Sequence, residues 1–174
     1  MNLNVVHALL PPSTVVSVRN RLQDAPWADG RSTAGAEAAR IKHNLQLELG
    51  SATHRELSEV VKEAATASDA FKQLTLPRRM SMPLFSRYEA GMEYGPHTDD
   101  AYRAHETLRT DLAVTLFLSA PDDYDGGALM VGDTAVKPAA GDAVVYPATT
   151  IHRVSKVTRG ERASASLRLT TCAG

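Results

Sequence analysis

The sequence predicts an α+β fold in which N-terminal helices pack on one sheet of an antiparallel jelly-roll core. Apolar residues recur at helical spacing in the first part of the chain, whereas short strand-like segments and turn signals fill the rest after Pro77. The length of 174 residues fits one domain, with a helical layer at about 12–76 and a jelly-roll core at about 78–170.

Helical patterns account for most of the predicted N-terminal layer. Ser13 is the predicted N-cap of a first helix, which Pro26 ends. Residues 36–49 are rich in helix formers and are predicted to form a second helix, which a glycine terminates. Residues 51–67 carry an apolar stripe that predicts a third helix, and a short helical turn is predicted at 69–74.

Eight short segments after Pro77 have the composition of strands. They are predicted at residues 82–88, 92–98, 112–118, 128–131, 134–137, 143–146, 151–157 and 162–170. Clusters of Gly, Asp and Pro separate them and indicate turns. Short strands at this spacing are typical of a sandwich or a double-sheet jelly roll rather than of a parallel sheet.

Composition and charge narrow the functional classes. The hydrophobic fraction of 43% and the net charge of -1 are ordinary for a soluble globular protein, and no basic field is available to attract nucleic acid. Cys172 is the only cysteine, which excludes an intramolecular disulfide and suits a reducing compartment. With no signal-peptide pattern and no apolar run of about 20 residues, the sequence predicts a cytoplasmic protein without a membrane anchor.

A metal site is predicted from two histidines and one aspartate. His97 and Asp99 are two residues apart, so on a strand they project from one face, about 7 Å apart at the backbone. His152 follows Asp99 by 53 residues and can return beside it on an antiparallel strand. Two imidazoles and one carboxylate leave three open positions, which suits a non-haem Fe(II) oxygenase. A zinc hydrolase is the alternative, although zinc prefers a tetrahedral site with one open position.

Arg162 adds a second feature to this site. It follows His152 by ten residues, with a turn signal at 158–160, so it is predicted to return on the next strand beside the metal. A buried arginine needs an anionic partner, and a guanidinium binds a carboxylate through two parallel hydrogen bonds. 2-Oxoglutarate would satisfy both features, because its 2-oxo acid end chelates a metal and its other carboxylate fits the arginine.

These residues resemble a known family. The spacing of His97, Asp99, His152 and Arg162 is similar to that of 2-oxoglutarate dioxygenases of the prolyl 4-hydroxylase group, and the match is closer to the bacterial PKHD-type hydroxylases. The resemblance covers roughly residues 3 to 162. Its carrying stretches are residues 27–35, 42–47, 83–95, 109–112, 116–118, 124–127 and 141–147.

The resemblance implies a double-stranded β-helix of the cupin-like jelly-roll type. It implies that His97, Asp99 and His152 are catalytic ligands of Fe(II), and that Arg162 and Tyr88 bind 2-oxoglutarate. The implied reaction uses O₂ to hydroxylate a peptide or small molecule, such as a prolyl or lysyl side chain, with release of succinate and CO₂. Ascorbate is the implied reductant, and a homo-oligomer is compatible with the family.

Two features of the sequence are left open by the resemblance. The polar residues Lys42, Asn44 and Gln46 recur in one family-like stretch without an assigned role. Only 12 residues follow Arg162, where the family usually continues with an aromatic-rich strand and a small helical segment. The alternative to an active hydroxylase is therefore a non-catalytic remnant that binds metal or 2-oxoglutarate and has a truncated C-terminus.

Overall fold

A computed structural model describes residues 3–172 of the chain. Its α-helices are α1 (Pro12–Gln23), α2 (Ala36–Ala39), α3 (Ala52–Ala67) and α4 (Asp69–Thr75). Its strands are β1 (Asn4–Val6), β2 (Trp27–Asp29), β3 (Lys42–His43), β4 (Leu45–Leu47), β5 (Pro77–Met80), β6 (Leu84–Tyr88), β7 (Glu93–His97), β8 (Tyr102–Arg103), β9 (Leu108–Arg109), β10 (Leu112–Phe117), β11 (Tyr124–Gly126), β12 (Leu129–Val131), β13 (Thr134–Val136), β14 (Ala143–Pro147), β15 (His152–Val154), β16 (Val157–Gly160) and β17 (Arg162–Thr171).

Two antiparallel sheets form the body of the molecule. The major sheet has the order β1-β14-β10-β17-β6-β4-β2, with β5 also paired to β17. The minor sheet has the order β13-β12-β15-β7-β3. Two small ribbons, β11-β16 and β8-β9, complete the strand pairing in the described part of the chain. Most neighbours within each sheet are distant in sequence, so the topology brings residues from many segments into one place.

The alternation of side chains along β10 separates two cores. Val114 and Leu116 belong to the main cluster, in which apolar residues of α1, α3 and α4 pack on the outer face of the major sheet. Ala113 and Phe117 point the other way and join a second cluster with Leu129 and other residues between the two sheets. The helices therefore cover one face of the major sheet, and the minor sheet covers the opposite face.

The predicted helix at residues 36–49 is wrong beyond its first turn. Only α2, Ala36–Ala39, is helical, and the chain then forms β3 and β4. β3 pairs with β7 of the minor sheet, and β4 pairs with β6 of the major sheet. Tertiary pairing with two sheets overrides the helix propensity of the alanines and leucines in this segment.

Smaller corrections concern boundaries. Helix α1 begins at Pro12 with Pro11 in the N-cap position and no side-chain cap, so Ser13 is not the cap. A proline in the first turn already has the backbone angle that a helix needs. The predicted strand at 151–157 is two strands, β15 and β16, and β16 turns away to pair with β11.

Two helix predictions are confirmed. Helix α3 lies where its apolar stripe placed it, with Ser51 as its N-cap, and α4 extends the predicted turn at 69–74. Among residues 3–172, none of the helices has the length and apolar character required to cross a membrane.

Candidate active site

Strand pairing brings the two predicted histidine ligands together. His97 ends β7 and His152 begins β15, and the two residues are direct partners in the minor sheet. Their ring centroids are 4.2 Å apart. Asp99 was predicted on the same strand as His97, but the strand ends at His97 and Asp99 lies two residues beyond it. Its backbone N–H donates to the carbonyl of Ala148 at 3.3 Å, which holds the aspartate beside both rings.

The ligand atoms of the three residues converge. One nitrogen from each of His97 and His152 and one carboxylate oxygen of Asp99 all lie within 4.8 Å of one another. The Nδ1 atoms of His97 and His152 lie 2.9 Å from the carbonyl of Gly95 and 3.0 Å from that of Thr150. A carbonyl only accepts, so each Nδ1 carries the hydrogen and each Nε2 keeps its lone pair.

Burial keeps both imidazoles neutral. Desolvation, with the nearby His152 ring as the next contribution, lowers the pKa of His97 to about 4. Desolvation also lowers the pKa of His152, and the carboxylate of Asp99 opposes that shift. The ring of Tyr94 stacks on His97 at a centroid distance of 3.8 Å and shields it from water. Near neutral pH the two rings are therefore in the state that binds a metal.

Arg168 is a part of the site that was not predicted from the sequence. Its Nη2 donates to Oδ1 of Asp99 at 2.5 Å, and the Asp99 side chain is only 7% exposed. The other oxygen, Oδ2, is buried and has no hydrogen-bond partner among the described residues. Arg168 is separated from Arg162 by six residues on one strand, so strand periodicity alone places both on one face.

The donor set fits Fe(II). Two neutral imidazole nitrogens and one carboxylate oxygen on one side of a site form the arrangement of non-haem Fe(II) oxygenases. The unpartnered Oδ2 of Asp99 leaves an oxygen available to a metal while Arg168 holds the other one.

Arg162 lies across from this group, on the other sheet. β17 belongs to the major sheet and β15 to the minor sheet, so Arg162 does not return on a strand next to His152 as predicted. The Arg162 side chain is 1% exposed and donates from Nη1 to Oγ of Ser164 at 3.0 Å. Its Nε and Nη2 have no partner among residues 3–172. The guanidinium thus keeps two buried donors free, which fits a carboxylate ligand.

Aromatic rings fix the position of this guanidinium. Its carbon lies 5.1 Å from the ring centroid of Tyr88 and 5.0 Å from that of Phe117. Tyr88 is the register partner of Arg162 on the neighbouring strand β6. The structure therefore places both residues predicted to bind 2-oxoglutarate in one cluster.

One cavity connects the two clusters. It has a volume of about 660 Å³ and lies between the sheets, and both the His97 group and the Arg162 group line it. A cavity of this size suits a cosubstrate and part of a second molecule. Lys42, Asn44 and Gln46 line it as well, so the polar positions without an assigned role in the sequence face the site.

Comparison with known proteins decides the family. Residues 83–168 match the family model of the 2OG-Fe(II) oxygenase superfamily. A PKHD-type hydroxylase from Methylobacterium nodulans is 48% identical over 165 residues, which are 90% of this chain and 73% of the relative. A second, from Gluconobacter oxydans, is 46% identical over 162 residues, or 88% of this chain and 71% of the relative. The chain belongs to the PKHD-type hydroxylase family.

The fold agrees with this membership. A Pseudomonas putida prolyl-4-hydroxylase structure superimposes with a TM-score of 0.63 at 21% identity, over 98% of this chain and 93% of the other. The prediction of a double-stranded β-helix is therefore confirmed. Membership in the PKHD-type family likewise confirms a 2-oxoglutarate-dependent hydroxylase that uses Fe(II) and O₂.

Proposed function

We propose that His97, Asp99 and His152 hold Fe(II) and that Arg162 and Tyr88 bind the far carboxylate of 2-oxoglutarate. The observation that carries this proposal is the guanidinium of Arg162, which is fully buried with two free donors in the cavity that the His-Asp-His group also lines. A buried cation in this state needs an anion. A dicarboxylate that reaches from the metal to Arg162 supplies one.

The proposed reaction converts 2-oxoglutarate, O₂ and a substrate C–H group into succinate, CO₂ and an alcohol. Iron supplies the activation of O₂ for this chemistry. The protein orients the cosubstrate through Arg162, and Ser164 and the Tyr88 and Phe117 rings keep the guanidinium in place. The carbonyls of Gly95 and Thr150 hold the histidine rings in the ligating tautomer.

The cellular part of the proposal follows the sequence. Ascorbate is proposed as the reductant that keeps the iron in the ferrous state, and the cytoplasm is the proposed compartment because the chain has a single cysteine. The solved relative from Pseudomonas putida is named a prolyl-4-hydroxylase. A prolyl or lysyl side chain is the proposed class of target.

Succinate formation tests the reaction. Purified protein with Fe(II), 2-oxoglutarate and ascorbate is expected to release succinate slowly without a second substrate, and the same mixture with Zn(II) is expected to release none. Anaerobic Fe(II) protein should gain an absorption band when 2-oxoglutarate is added. If no succinate forms and no absorption band appears, the proposal is contradicted. A protein that is fully active with Zn(II) and does not need O₂ would instead be a hydrolase.

The His152→Ala variant tests the metal ligands. It removes one of three ligands and should weaken Mn(II) binding at least about 100-fold, since each ligand contributes several kcal/mol. His54 also lies buried, but on α3 away from the cavity, so His54→Gln is the matched control and should leave Mn(II) binding unchanged. Equal binding by wild type and His152→Ala would remove His152 from the site.

A further inference from the structure

Lys42 lies in the cavity as a second buried cation, apart from Arg162. It is 6% exposed and belongs to β3, which pairs with β7 so that Lys42 is opposite Tyr94. Its Nζ donates to Oγ1 of Thr33 at 3.0 Å and lies 5.3 Å from the centroid of the Tyr94 ring. Tyr94 in turn stacks on His97. Lys42 is therefore separated from the His97 group by a single aromatic ring.

Lys42 has no ion-pair partner among the described residues; the carboxylates of Glu37 and Asp100 line the same cavity, and Asp29 acts on Lys42 only from a longer distance. Arg168 is paired with Asp99, and Arg103 is paired with Glu106, each at 2.5 Å. No carboxylate within residues 3–172 lies within ion-pair distance of Lys42, and an ammonium has three donors, of which Thr33 takes one. A buried ammonium without an anion is unfavourable, and an anionic ligand would relieve that cost.

Asn44 belongs to the same polar surface of the cavity. Lys42 lies on β3, Asn44 between the two strands and Gln46 on β4, and all three residues line the cavity. The Asn44 side chain is 2% exposed and neither amide atom has a hydrogen-bond partner within 3.5 Å in the described chain, but the amide lies near the Tyr88 hydroxyl and opposes the rise that burial causes in the pKa of that phenol. A Cβ on Gly30 would lie 1.7 Å from the Asn44 Oδ1, so a glycine is required where this amide packs.

2-Oxoglutarate cannot be the anion that Lys42 binds in the proposed function. The molecule has two carboxylates, of which one is used at the metal and the other at Arg162. Lys42 and Arg162 also lie on opposite sheets. An anionic group of the molecule that is hydroxylated is therefore the candidate partner of Lys42.

We propose that Lys42 forms a substrate subsite that binds a carboxylate of the hydroxylated molecule. This inference rests on the proposed function and adds the class of substrate: an amino-acid or peptide unit with a free carboxylate close to the oxidised carbon. A lysyl side chain is excluded as the group in this subsite, because its ammonium would lie beside Lys42 and repel it.

Acetylation of Lys42 measures the binding directly and needs no turnover. Burial and the positive charges of Arg168 and Arg103 lower the pKa of Lys42 to about 8, so a large share of it is a reactive amine at pH 8. The protein is loaded with Zn(II) and saturating 2-oxoglutarate, treated briefly with an acetylating reagent and analysed by mass spectrometry. Lys156 is exposed and serves as the internal reference.

Matched acids and amides serve as probes. N-acetylproline is compared with N-acetylprolinamide, which tests an α-carboxylate. N-acetylglutamic acid α-amide is compared with N-acetylglutamine α-amide, which tests a side-chain carboxylate. The acid of at least one pair is expected to slow acetylation of Lys42 at least about fivefold, whereas the amides and the labelling of Lys156 should show no change.

Two variants complete the test. Lys42→Met should bind the protecting acid about tenfold more weakly than the wild type does, so that its affinities for the acid and for the matching amide become equal. Lys42→Arg should keep most of the preference for the acid over the amide. Both should still bind 2-oxoglutarate as the wild type does. If acid and amide behave alike in both pairs, or if 2-oxoglutarate alone protects Lys42 fully, the subsite does not exist. Failure of the proposed function would instead appear as loss of 2-oxoglutarate binding in the wild type.

Discussion

The two ends of the cavity reach electrostatic balance in different ways. At the metal end the imidazoles of His97 and His152 are neutral, and the charge of Asp99 is compensated by Arg168 within the chain. At the other end Arg162 is buried between aromatic rings with one neutral hydrogen-bond partner, Ser164. At the metal end Asp99 therefore has a counter-ion within the chain, whereas the guanidinium of Arg162 has none among the described residues. Removing a charge should therefore have opposite consequences at the two ends.

Arg162→Met should produce the largest effect. Replacing the guanidinium removes two charge-assisted hydrogen bonds to the cosubstrate, so the affinity for 2-oxoglutarate should fall about 100-fold, or about 2.7 kcal/mol. The protein without ligand should be as stable as the wild type or more stable, because a buried cation without a counter-ion is lost. Anaerobic titration of the Fe(II) protein with 2-oxoglutarate and thermal unfolding measure the two quantities.

Arg162→Lys is the partner variant for this measurement. It keeps the positive charge but lacks the planar guanidinium with its parallel N–H donors, so it should recover only part of the affinity for 2-oxoglutarate. Metal binding should be unchanged in both variants. An equal loss of metal and 2-oxoglutarate affinity in Arg162→Met would mean that the residue is structural and that the two ends are not separate.

The stability of the metal-free protein should depend on pH through His97. Its pKa in the folded protein is lowered to about 4 from the ordinary value of 6.5, so the unfolded state takes up the proton first as the pH falls. The contribution of His97 is fully present above pH 6.5 and is lost progressively between pH 6.5 and 4, with about 2 kcal/mol lost by pH 5. Urea unfolding at pH 7, 6 and 5 measures this loss.

His97→Gln removes the titrating group and should flatten part of the pH dependence, leaving the share of His152. If the unfolding free energy of His97→Gln depends on pH as steeply as that of the wild type, His97 is accessible to protons in the folded state. Arg162→Met leaves both histidines in place and should therefore keep the full pH dependence, which distinguishes the Arg162 end from the metal end.

The grouping of His97, Asp99 and His152 and the strands of the jelly roll were predictable because they depend on local signals. His97, Asp99 and His152 are residue types with a restricted chemistry, and turn residues mark the strands that hold them. The position of Arg162 across the cavity was not predictable from its distance to His152, because β16 pairs with β11 before the chain crosses to the major sheet. The spacing in sequence predicted that Arg162 lies at the site, but not on which sheet.

The helix prediction for residues 36–49 was wrong for a different reason. Their alanines and leucines favour a helix locally, but the alternation of Lys42, Asn44 and Gln46 has the period of a strand. The sequence alone assigns no role to these polar residues, and the structure shows that all three line the cavity. The contact of Arg168 with Asp99 joins residues 69 positions apart, so only the tertiary structure reveals it.

Arg168→Met tests the balance at the metal end. Removing the guanidinium frees Oδ1 of Asp99 and removes a positive charge that opposes a dication, so Mn(II) should bind about tenfold more tightly. The metal-free protein should become less stable, since the buried carboxylate of Asp99 loses its counter-ion. Electron paramagnetic resonance of free Mn(II) gives the affinity, and thermal unfolding gives the stability.

Arg168→Lys is expected to lie between the wild type and Arg168→Met in both measurements. Weaker Mn(II) binding by Arg168→Met would show that Arg168 orients Asp99 for the metal rather than competing with it. In that case an arginine would support ligand binding at both ends of the cavity, and removing it would weaken binding at each.

Ser164→Ala should have the smallest effect and tests how much of the Arg162 end depends on preorganisation. The hydroxyl accepts a hydrogen bond from Nη1 of Arg162 at 3.0 Å, and its removal leaves the charge and both aromatic contacts in place. The 2-oxoglutarate affinity should fall about threefold, the value of one hydrogen bond with a neutral acceptor. Ser166 lines the same cavity two residues further along β17, so Ser166→Ala is the matched control and should change this affinity less. A loss in Ser164→Ala as large as that in Arg162→Met would mean that the orientation of the guanidinium, and not its unpaired charge, controls binding at this end.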